Sequence, residues 1–77
     1  MNKERRIQLK TVVELMEQAV SILEDVRGQE EEAFDGVPEN LQEGEKAVKM
    51  QECINLLEEL QSDLEEKVME LQETTGC

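Results

Sequence analysis

Carboxylates and two thiols are the side chains on which any chemistry of this chain would rest. Asp and Glu number 20 among 77 residues, against 8 Lys and Arg, which leaves a formal net charge of −12. There is no His, so no imidazole acid–base catalyst, no His-ligated metal site and no Ser-His or Cys-His couple can be assembled. The densest acidic group is Glu30-Glu31-Glu32 with Asp35, continued by Glu39, Glu43 and Glu45. A hard cation such as Ca²⁺ would want six to eight oxygens. Asp35-Gly36-Val37-Pro38 lacks the alternating ligands of an EF-hand loop. A solvated acidic tip, or a contact surface for a basic partner, accounts better for this cluster, and no metal or other cofactor is expected. Paired carboxylates working as acid and base need a cleft that raises one pKa, which a two-helix rod does not offer.

The thiols are Cys53 and Cys77, too far apart in sequence to form a CxxC. Cys53 falls between Met50 and Leu57 on an apolar stripe, which predicts a small buried hydrophobe with no cationic neighbour to activate it. Cys77 is available for an adventitious intermolecular disulfide. A reduced, cytoplasmic setting is the reading of this cysteine usage. Phe34 is the sole aromatic residue, placed where it could close a turn against Pro38 and Leu41 or anchor a partner.

These residues must be positioned by helices. Between Lys3 and Phe34 the steps Leu9, Val12, Met16, Ala19, Leu23 and Val26 form a heptad seam, with Val13 and Val20 as extra cover and Ile7, Leu15 and Ile22 on a flank. Helix 1 is predicted over about 3–34, weaker or less tightly packed near Gly28, because Gly costs a helix interior about 1 kcal/mol relative to Ala. Asp35-Gly36 reads as a left-handed stop, and Pro38 blocks an immediate return to helix. Pro38-Glu39-Asn40-Leu41 could make one helical turn, with Leu41 closing over Phe34 and Ala33, inside a connection of about 35–44. Helix 2 is predicted over about 45–73, with Ala47, Met50, Cys53, Ile54, Leu57, Leu60, Leu64, Val68 and Leu71 on its seam and 74–77 as a frayed tail.

The fold expected is all-α: an antiparallel two-helix hairpin that dimerises into a four-helix bundle, because two helices touching along one line leave much of each apolar stripe wet. Val13, Met16, Val20, Leu23, Met50, Ile54, Leu57, Leu64 and Val68 are the expected self-association residues, and Met16, Met50 and Met69 read as core filler. Antiparallel helices would also set Lys3, Arg5, Arg6 and Lys10 beside Glu66, Glu70 and Glu73. No apolar run exceeds two residues, so no transmembrane span is expected, and the basic Met1–Arg6 leads into no apolar signal segment. An acidic chain will not hold nucleic acid by neutralising phosphates. The rows on helix 2, with Glu58, Glu59, Glu65 and Glu66 at their centre, could instead imitate phosphates on a DNA-binding protein's basic groove, or simply keep the chain soluble.

The stretch Glu30-Glu31-Glu32-Ala33-Phe34-Asp35-Gly36-Val37-Pro38-Glu39-Asn40-Leu41-Gln42 resembles a recurring tip, roughly E-E-x-x-A-[FY]-D-N-x-P-x-x-L-Q. That tip is found in small acidic helical-hairpin proteins of unknown function from phages and prophages of Firmicutes. Asn2-Lys3-Glu4-Arg5-Arg6 is similar to their basic opening. Gly36 stands where Asn is usual, and Glu43-Gly44-Glu45-Lys46 replaces a Ser-Glu-Arg-Gly type start, which removes a Ser N-cap from helix 2. The resemblance implies a phage or prophage accessory protein that binds and blocks a host protein, one handling nucleic acid or defence. On that reading Glu31, Phe34, Asp35, Pro38 and Leu41 are the contact residues of the tip, and Glu58, Glu59, Glu65 and Glu66 those of the acidic face. The alternative is a structural homo-oligomer with no inhibitory target.

Overall fold

The computed structural model describes residues 2–41 and 44–76, and among these it contains two long helices, one short turn of helix and no strand. Helix α1 spans Lys3–Asp35, a 3-10 turn spans Glu39–Leu41, and helix α2 spans Glu45–Thr75. The helices pack along each other as an all-α hairpin, 58 Å long and about 15 Å across. Gln42, Glu43 and Cys77 lie outside the described residues.

The start of α1 follows from Asn2, whose backbone is extended and whose side-chain Oδ1 accepts the Arg5 N–H at 2.9 Å. Its end differs from the sequence expectation. Gly36 is right-handed, at φ −77° and ψ −10°, and its N–H still reaches Glu32 O at 3.1 Å. The helix is stopped by Pro38, which has no N–H and keeps Val37 out of the helical region. The left-handed glycine is Gly76, at φ 71°, whose N–H closes onto Gln72 O at 2.9 Å. With Thr75 Oγ1 donating to Leu71 O at 2.6 Å, residues 74–76 are a capped helix end and not a fray. Gly44 begins α2 without a side-chain cap, as its lack of a hydroxyl requires. The Glu39–Leu41 turn forms where Pro38 presets the backbone, with Leu41 N donating to Pro38 O at 2.8 Å.

The seam is a strict heptad in both helices, rotated from the one the apolar residues suggest. In α1 its positions Leu9, Val13, Met16, Val20, Leu23, Arg27, Glu30 and Phe34 are buried or half-buried, as are Ala19 and Gly28 beside it. In α2 its positions Ala47, Met50, Ile54, Leu57, Gln61, Leu64, Val68 and Leu71 are buried or half-buried, as are Gln72 and Thr75 at the helix end. Val12, Val26, Cys53 and Leu60, expected on the seam, are exposed. So is Met69, expected in the core. The physical reason is rigidity: a long helix touches its neighbour only through residues repeating every 3.5 positions. A seam that buries Val13 and Val20 must therefore pass through Arg27, and one that buries Ile54 and Val68 through Gln61. All nine residues expected at a self-association interface lie here, between the chain's own helices.

The helices are staggered. Gln72 Nε2 lies 3.4 Å from Glu17 Oε1, and Met16 lines a groove with Leu71 and Thr74. About 21 Å of α1 precedes Glu17 while only about 5 Å of α2 follows Gln72 at 1.5 Å per residue. The first turns of α1 therefore project past α2, and residues 2–8 are all exposed. Lys3, Arg5 and Arg6 stand on that projection, beyond Glu66, Glu70 and Glu73 instead of beside them. Gly28 does not break α1, and nothing lies within 4 Å of where its side chain would be.

Candidate functional site

The strict seam gives the hairpin two unlike sides. On one side Glu17, Glu24 and Glu31 of α1 repeat every seven residues and face Glu58 and Glu65 of α2, which do the same. Gln72 joins this side through Glu17, and Gln61 donates from the seam to Glu65 Oε1 at 3.2 Å. Between them lies a groove of about 360 Å³ lined by Glu17, Val20, Glu65, Val68 and Met69. Its floor is apolar and two carboxylates stand on its rims.

Glu59 and Glu66, expected with Glu58 and Glu65, belong to a different row. Glu45, Glu52, Glu59, Glu66 and Glu73 are all exposed at seven-residue spacing on the back of α2, away from α1. The expected acidic face is thus two faces, about 100° apart around the helix. The contribution of α1 was missed, although the heptad interval of Glu17, Glu24 and Glu31 was a readable signal.

The tip residues are also divided. Pro38 and Leu41 line a cleft of about 520 Å³ together with Ala33, Val37 and Ala47, roofed by the chain from Gly44 to Lys46. Leu41 is 56% exposed, so it borders an open cleft and does not close over Phe34. Phe34 ends the seam, half-buried, and Asp35 is exposed at the last helical position. Glu31 lies 3.7 Å from Arg27 Nε one turn earlier. Glu30, Glu31 and Glu32 point in successive directions about 100° apart, and among the described residues no three acidic or thiol groups gather around a common point.

Cys53 is exposed, contrary to the buried position expected of it, because it sits one residue before the seam position taken by Ile54. Lys67 Nζ donates to Glu70 Oε2 at 2.8 Å, and that carboxylate raises the Lys67 pKa above its ordinary 10.5. The pair is an exposed one within α2, as is Lys49–Glu45, whereas Arg27–Glu31 in α1 joins a half-buried base to an exposed acid. On the second side of the hairpin Val12, Leu15, Ile22 and Val26 of α1, with Leu56 and Leu60 of α2, are exposed apolar residues, and Lys67 and Glu70 continue that side of α2 toward its end. No described helix is long and apolar enough to cross a membrane. No family model, curated protein or solved structure matches the chain.

Proposed function

We propose that this chain is a non-enzymatic protein-binding module, a phage or prophage accessory protein that binds and inhibits a host protein in the bacterial cytoplasm. The target class is a defence or nucleic-acid-handling protein with a basic surface, engaged through the acidic side and the cleft at the tip. The observation that carries the reading is the groove between Glu17 and Glu65. A Lys or Arg side chain has an apolar stem and a cationic head. Val20, Val68 and Met69 suit the stem, and the two carboxylates suit the head. Repetition of Glu at seven-residue intervals along both helices extends the same chemistry over the length of the rod, as a phosphate-like array would.

The test is affinity capture from a bacterial host lysate with four baits: the natural chain, Glu17→Gln/Glu65→Gln, Glu59→Gln/Glu66→Gln, and Leu41→Ala. A specific partner should be lost with the first variant, retained with the second, weakened with the third, and released by raised salt. Capture that persists in high salt and in the Glu17/Glu65 variant would refute the electrostatic reading. A homo-oligomeric scaffold with no inhibitory target is the second reading. Its support is the exposed apolar side, and it expects no specific partner with any bait.

A further inference from the structure

Helix α1 carries a second heptad row that its packing against α2 leaves exposed, except at the half-buried Ala19. Gln8, Val12, Leu15, Ala19, Ile22, Val26 and Gln29 follow one another at alternating four- and three-residue steps, and none is charged in a chain where 36% of residues are. Val12, Leu15, Ile22 and Val26 are 42%, 58%, 62% and 39% exposed. The row sits one residue, about 100°, around the helix from the seam with α2, which is where a bundle helix meets its second neighbour. It is also symmetric. Gln8 mirrors Gln29, Val12 mirrors Val26, Leu15 mirrors Ile22, and the small Ala19 stands at the centre.

We infer that a second copy of this chain covers the row, its α1 lying antiparallel to the first about a two-fold axis at Ala19. An isologous interface requires that whatever residue i meets on its partner, that residue meets i. A row that reads the same from either end meets the requirement with matched layers: Val12 on Val26, Leu15 on Ile22, and the Gln8 amide beside the Gln29 amide. Ala19 at the axis lets the two helices approach most closely where they cross.

Charge chooses the same orientation. The first ten residues hold four bases against Glu4, whereas residues 30–35 hold four acids. Antiparallel copies bring the projecting basic end of each, with Arg5 one step before Gln8, alongside the acidic run Glu30-Glu31-Glu32 of the other. Parallel copies would set base against base and acid against acid. Leu56 and Leu60, 63% and 43% exposed on the same side, border the row. A standard stable interface takes about 800 Å² from each partner, and these two residues widen the apolar surface toward that size. This assignment is independent of the target-binding reading, which uses the opposite side of the hairpin.

Cysteine mapping in a Cys53→Ser/Cys77→Ser background tests it. Ala19→Cys should form a disulfide-linked dimer with itself. Val12→Cys and Val26→Cys should each fail to link alone and link when mixed. In sedimentation the natural chain should have twice the chain mass, and Leu15→Glu/Ile22→Glu should lose the dimer while keeping its helical circular dichroism, because both side chains are exposed in the hairpin. A monomer at 100 micromolar, a mass other than the dimer's, or self-linking of Val12→Cys would overturn the assignment.

Discussion

Gln61→Leu should make this protein more stable. Gln61 occupies a core heptad position of α2 and is only 9% exposed. Its Nε2 donates to Glu65 at 3.2 Å, but its Oε1 is buried and accepts no hydrogen bond. A buried acceptor left unmade costs about 1–3 kcal/mol, and an amide bond such as the one to Glu65 contributes about 0.5–1.5 kcal/mol. Leucine has nearly the same reach, removes the orphaned oxygen and adds apolar surface between Ile54 and Val68, at the loss of the Glu65 bond. The net expectation is a gain of about 2 kcal/mol. With a urea slope of about 1 kcal/mol per molar for a small domain, the midpoint should rise by roughly 2 M at unchanged slope. Both chains should be compared at one protein concentration, since any self-association contributes to the apparent value. A midpoint that stays level or falls would refute the assignment of Gln61 to the core. A polar residue at one core position of a heptad helix also fixes alignment at some expense of stability. The leucine variant should therefore show faster amide exchange near the helix ends than its stability alone would give.

Four further substitutions test the backbone and the core. Gly28→Ala should raise stability by about 1 kcal/mol, because the added methyl meets open space and alanine favours the helix; thermal unfolding reads the shift. Gly36→Ala should be neutral or mildly stabilising, since Gly36 is right-handed and its nearest atom to an added methyl is Ala33 O at 3.5 Å, whereas Gly76→Ala should cost about 1 kcal/mol at φ 71°. A destabilised Gly36→Ala in denaturant would restore the left-handed stop. Ile54→Ala should cost about 2–4 kcal/mol because Ile54 is 5% exposed, and an effect below about 1 kcal/mol in the same assay would mean that the seam has been placed wrongly.

The candidate surfaces were legible in kind more than in place. Seven-residue intervals of glutamate announced acidic rows, yet Glu58 with Glu65 and Glu59 with Glu66 looked like one face until the seam fixed the rotation of α2. The groove beside Glu17 could not be read at all, because it joins residues of two helices whose stagger depends on the connection between them. The tip was readable as a Gly-Pro interruption with one turn of helix. Its cleft was not, because Ala33, Leu41 and Ala47, which line it together, come from three different elements.

Sequence alone determined the two helices and the turn at Pro38, since these rest on local backbone preferences and on hydrogen bonds reaching only a few residues. It also determined that the apolar residues form stripes. Which stripe becomes the core was decided by the tertiary structure. Two rows one residue apart, Val12–Ala19–Val26 and Val13–Val20–Arg27, compete for α2, and hydrophobicity favours the first. The second is taken because Val13, Val20, Leu23 and Phe34 align with Ile54, Leu57, Leu64 and Val68 along one unbroken line of contact. Straight helices cannot leave that line for a single residue, so Arg27 and Gln61 are carried into the core while Val26 and Leu60 are left outside.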